Sequence, residues 1–152
     1  MLKHIWSILC RRSVVDQSTN TMSLYDAIEQ ITLQGTEMPR DKIALVPFDC
    51  EVVTLWMRPN LKQPTKGDTR MQIFNETNEI LATLDFRVDL TKLHRIRVQA
   101  RMRAFPLKGV GLYTIQVQVR NVKKRSWNTV ASLPIEVNFT FVPEPTKATT
   151  SS

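Results

Sequence analysis

The 152 residues are 42% hydrophobic and 23% charged, with a net charge of +7 and an isoelectric point near 9.8. That is the composition of one globular domain able to bury roughly two-thirds of its unfolded surface, and it excludes a disordered or low-complexity chain. The positive balance favours acidic partners, nucleic acid or anionic lipid among them, through long-range attraction.

From the N-terminus, the apolar run up to Cys10 is short, contains Ser7 and is closed at once by Arg11 and Arg12. No small-residue cleavage site follows, and Leu9 is too large for a lipobox, so the segment reads as a first β-strand and not a leader. No later stretch is long and apolar enough for a transmembrane helix, so no membrane partner is expected. Cys10 and Cys50 lie within apolar runs and read as free, buried thiols. With His4 and His94 they give no zinc-like spacing, and no metal or other cofactor is expected.

Asp16 to Asn20 is a turn of residues that hydrogen-bond their own backbone. Beyond it, Ser23-Leu24-Tyr25-Asp26 fits a capping box, and Leu24, Ala27, Ile28 and Ile31 have helical spacing. A strand with an irregular middle fits the same residues. Glu51 to Met57 is apolar on both faces and predicts a central strand covered on both sides. Pro59 to Asp68 reads as the longest internal loop, and Asn75 to Glu79 as a hairpin connection.

The second half alternates with a period of two. Ala82, Leu84, Phe86, Val88 and Leu90 share one face of the first run, and Ile96, Val98, Ala100, Met102 and Ala104 one face of the next. Tyr113, Ile115, Val117 and Val119 follow, then Ile135, Val137, Phe139 and Phe141. Successive side chains of a strand point to opposite faces, so each run has a core side and a solvent side. Pro106 to Gly111 and Asn121 to Ser126 punctuate the runs. Phe86, Val98, Tyr113 and Val137 are expected in the core. The predicted fold is all-β, a two-layer antiparallel β-sandwich of seven to nine strands, immunoglobulin-like or C2-like, over residues 1–142. Residues 143–152 have no large apolar anchor and read as a disordered tail.

His4-Ile5-Trp6-Ser7-Ile8-Leu9-Cys10, Val14-Val15-Asp16, Thr19-Asn20, Ser23-Leu24 and Ile28-Glu29 together resemble the start of a family of uncharacterised bacterial proteins. Pro47-Phe48, Val52-Val53-Thr54-Leu55-Trp56, Gly111-Leu112-Tyr113 and Leu133-Pro134-Ile135 continue the resemblance over about residues 4–140. It implies a small, cytoplasmic, bacterial β-sandwich without an assigned activity. It also favours a strand through Ser23-Leu24.

The sharpest chemical feature is a stripe of arginines, Arg95, Arg97, Arg101 and Arg103, on one face of one strand. Neighbours two apart lie roughly 6.5–7 Å from each other, near the phosphate spacing of a nucleic-acid strand. A neighbouring strand is expected to add Gln116, Gln118 and Arg120. The competing, structural reading balances the stripe with Asp85, Asp89 and Glu136 across adjacent strands. That reading is preferred, because the face lacks aromatic residues for base stacking. Asp16, Asn20 and Ser23 read as turn caps. Trp127, following Lys123-Lys124-Arg125, is the only tryptophan expected to be partly exposed.

No catalytic motif is present. The sequence therefore points to a non-catalytic binding or protein-interaction module of the bacterial cytoplasm, with self-association as one form. A polyanion binder using the arginine stripe is the alternative, and a small hydrolase with a spatially assembled site the third reading.

Overall fold

A computed structural model describes residues 1–145, and among these residues there are nine strands and no helix. They are β1 (Lys3–Asp16), β2 (Thr21–Ala27), β3 (Gln30–Gly35), β4 (Ala44–Met57), β5 (Thr65–Phe74), β6 (Ile80–Leu90), β7 (Arg95–Leu107), β8 (Gly111–Arg120) and β9 (Asn128–Phe141). One sheet has the order β2-β1-β4-β7 and the other β3-β9-β8-β5-β6. The two pack face to face as a sandwich. Every strand pair is antiparallel except β3 with β9, which run parallel in the register Gln30↔Glu136 to Gly35↔Phe141. Of the expected tail, residues 146–152 lie outside the described residues.

The first run is indeed β1, fourteen residues long. The ambiguous segment is two strands. Thr21–Ala27 pairs with β1 and Gln30–Gly35 with β9, so the chain changes sheets at Ile28 and Glu29. Two backbone bonds fix the crossing: Ile28 N–H donates to Leu9 C=O (2.8 Å) and Glu136 N–H to Glu29 C=O (3.0 Å). Asp26, at φ 54°, takes the bend before it. That change of sheet is why the apolar residues fall at helix-like intervals. The loop after β4 is also shorter than expected, since Gly67 and Asp68 belong to β5.

Between the sheets lie Leu9, Val52, Trp56, Phe105, Tyr113, Ile135 and their buried neighbours. Tyr113 and Val137 are fully buried as predicted, on the interior strands β8 and β9. Phe86 and Val98 are only half-buried, which corrects the expectation for both. They stand on β6 and β7, the edge strands of their sheets, where no further strand closes the layer. β4 is central, as predicted, between β1 and β7. On its second face Val53 is fully buried, and the β1–β2 hairpin reaches that face through Ser13, bonded to Glu51 and Gln99, and Asn20, bonded to Arg97.

Candidate functional site

The arginine stripe is on β7, but its surroundings differ from the expectation. β7 has one neighbour, β4, and the strands carrying Arg120, Asp85, Asp89 and Glu136 are all in the other sheet. Arg120 is therefore not part of the stripe's surface. Nor do those three carboxylates balance it.

The balance comes from within the stripe's own sheet. The register sets Arg101 opposite Glu51, and Arg101 Nε donates to Glu51 Oε2 at 3.2 Å. The Glu51 side chain is 4% exposed and that of Arg101 72%. Ser13 Oγ donates to Glu51 Oε1, and Gln99 Nε2 donates to Ser13 Oγ. The hydroxyl and the arginine supply hydrogen bonds to this buried side chain, which offset the cost of its desolvation. Arg97 donates through Nη2 to the C=O (2.8 Å) and Oδ1 (2.7 Å) of Asn20 in the β1–β2 turn. Arg95 and Arg103 form no salt bridge among the described residues.

Arg120 belongs to a ladder on the outer face of the five-stranded sheet. Asp68 accepts from Arg87 (3.0 Å) and Arg120 (3.3 Å), and both Arg70 and Arg120 stack on the Trp127 ring at 4.3 and 4.4 Å. Arg70 Nε also donates to Gln118 Oε1. The Arg87 hydrogen bond, aided by Arg120, holds the Asp68 carboxyl below the usual carboxylate range. Trp127 is half-buried, as expected, and Trp56 is enclosed, but Trp6 is half-buried as well, which corrects the expectation that Trp127 alone is partly exposed. At the first turn, Asp16 Oδ1 accepts from Ser18 N–H (2.9 Å) and Ser18 Oγ (2.7 Å), which satisfies the turn internally.

A serine and a histidine do meet. His4 Nε2 and Ser7 Oγ are 2.7 Å apart, and the His4 ring packs edge-on to Trp56. Burial lowers the His4 pKa, with the Trp6 backbone acting weakly the other way. No carboxylate is bonded to His4 among the described residues. Among the same residues no group of three or more His, Cys, Asp or Glu is placed to hold a metal, and no helix is long and apolar enough to cross a membrane.

Both cysteines are free and buried. Burial pushes the Cys50 thiol up to about 11, and raises that of Cys10 with help from Glu51. Neither thiol should react with an aromatic disulfide reagent in the native protein at mildly alkaline pH, and both should react once urea unfolds it. Rapid labelling without denaturant would contradict this placement.

An apolar cleft between the two sheets was not anticipated from the sequence. Along the seam where edge strands β6 and β7 face each other across the sandwich, a cleft of about 240 Å³ reaches the core between Leu84, Ala82, Ala100, Met102 and Leu45. It is almost wholly apolar, and Leu45 and Leu84 stand 72% and 49% exposed at its mouth. The cause is local. The inward positions of β7 here are Ala100, Met102 and Ala104, opposite Ala82, and small side chains on both edges leave the space between the sheets unfilled. Three alanines at core positions of facing runs were the available signal. Compared with known proteins, the chain matches no protein-family model and no curated protein.

Proposed function

We propose that this domain is a non-catalytic interaction module that takes an extended segment of a partner protein along the β6–β7 seam. The observation that carries the reading is the apolar cleft between two edge strands. β7 presents backbone N–H and C=O groups with no strand beyond them, which is the requirement for strand addition. At about 240 Å³ the cleft is smaller than the roughly 300–1,000 Å³ of small-molecule pockets, so it suits a few side chains of a peptide better than a drug-sized ligand.

Strand addition to β7 also gives the arginines a role. An added strand would alternate, turning every second side chain into the cleft and the others to the outer face beside Arg101 and Arg103. The preferred segment is therefore apolar at alternate positions and acidic between them. In the free protein the same arginines discourage edge-to-edge aggregation. The free, buried thiols and the bacterial resemblance support a cytoplasmic, bacterial setting.

Selection of displayed peptides against the immobilised domain should return sequences with that alternation. Ala100→Arg, which fills the cleft with a charge, should lose the selected peptides, whereas Arg120→Ala on the other sheet should keep them. Selection of sequences without alternation, or retention by Ala100→Arg, would defeat the reading.

A further inference from the structure

Two of the stripe arginines belong to a second feature. β4 and β7 change register between Pro47 and Cys50, where Phe48 and Asp49 together oppose the single residue Arg103. The bulge opens a groove of about 360 Å³ on the outer face, lined by Arg11 and Arg12 from β1 and Arg101 and Arg103 from β7. Bulges re-aim side chains in this way. Four arginines and two carboxylates, Asp49 and Glu51, thus line one groove. The Glu51 carboxylate is already bonded to Ser13 and Arg101.

Three of the four arginines are held in place before any ligand arrives. Arg11 stacks on Phe48 with its guanidinium carbon 4.4 Å from the ring centroid, and Arg12 on Tyr25 at 4.6 Å. Arg101 is tethered by Glu51. Stacking leaves the guanidinium edges free to donate, and planar forks are the preferred donors to phosphate oxygens. Fixing the side chains in advance lowers the entropy lost on binding.

We propose that this groove is an anion site for a compact diphosphate group, free or carried on a nucleotide. A long nucleic-acid strand is less well matched. Arg97 is turned toward Asn20 and Arg101 toward Glu51, so the side chains of the stripe do not form one even row of donors. The arginines of the groove come from β1 and β7 on either side of the β4 bulge, not from β7 alone. The groove shares Arg101 and Arg103 with the seam, but Arg11 and Arg12 are two strands away from it. Substitution on β1 therefore tests the groove without touching the cleft.

The experiment is calorimetric titration of the full chain with inorganic pyrophosphate at low ionic strength, with ADP and a single-stranded oligonucleotide as parallel arms. Wild type should bind pyrophosphate with a dissociation constant of about 1 mM or tighter. R11E/R12E should weaken it by at least about tenfold with an unchanged melting temperature, as exposed charges contribute little to folding. R95E should bind as wild type does. Tighter binding of ADP than of pyrophosphate would assign the source to a nucleotide, and equal binding to the bare anion. No pyrophosphate binding, full retention in R11E/R12E, or equal loss in R95E would each overturn the proposal. So would oligonucleotide binding that tightens with length and depends on Arg95.

Discussion

Replacing Trp56 by alanine should lower the unfolding free energy by about 3–5 kcal/mol, the usual cost of truncating a fully enclosed aromatic residue. Trp56 is completely buried at the end of central strand β4, with His4 packed against its ring. Its indole N–H donates to Thr54 Oγ1 at 2.7 Å, so the one polar atom of the ring is satisfied and truncation leaves the hydroxyl without that donor. Phe86→Ala should cost less, about 1–2 kcal/mol, because Phe86 is half-buried on edge strand β6. Urea denaturation of the two variants measures the contrast. Equal losses would mean that β6 is covered in solution and that the seam beside it is closed.

That contrast also shows how far the sequence could be read. Alternation says which side of a strand faces inward, and it placed Tyr113 and Val137 correctly. It does not say whether the strand has a neighbour on each side. Phe86 and Val98 carry the same pattern as Tyr113, yet belong to the edges β6 and β7. Strand order decided the arginine stripe in the same way: period two put Arg95, Arg97, Arg101 and Arg103 on one face, but their neighbour is β4 with Glu51, not β8 with Arg120. The crossing at Ile28 and Glu29 produced helix-like spacing because two strands of different sheets follow each other without a turn motif. Leu24 and Ile31 then face the demands of separate layers. The parallel pairing of β3 with β9 had no local signal at all, since parallel neighbours need not follow each other in the chain.

Arg58→Met should be the most damaging change at a charged position, with an expected loss of about 3 kcal/mol or more. Arg58 follows β4 directly and is buried, with no carboxylate partner among the described residues. Its guanidinium instead donates to three backbone carbonyls: Nε to Leu90 (2.7 Å), Nη1 to Leu61 (2.8 Å) and Nη2 to Thr91 (2.8 Å). It thereby ties the loop after β4 to the link between β6 and β7, at the end of the seam remote from the cleft. Hydrogen bonds from a charged donor contribute about 1.5–3 kcal/mol each, though not additively, and truncation leaves the carbonyls short of a donor. Methionine keeps much of the apolar stem and removes the fork. Arg58→Lys should recover little, because one ammonium on a single stem cannot reproduce three donors in a plane. Thermal and urea unfolding of both variants provide the check, and a lysine variant as stable as wild type would contradict the three-carbonyl account. In sequence, Arg58 was one more arginine beyond an apolar run. Its partners are 3, 32 and 33 residues away and meet it only in the folded chain.

The seam itself is tested most directly by amide hydrogen exchange, resolved by residue, on the domain with and without a selected alternating peptide. If a partner strand adds to β7, alternate amides between Ala100 and Phe105 should exchange markedly more slowly in the complex, because only every second N–H of an edge strand points outward. The edges β2 and β3, on the opposite side of the sandwich, should be unchanged. Protection confined to those strands, or none along β7 at saturating peptide, would contradict the assignment of the β6–β7 seam as the binding surface.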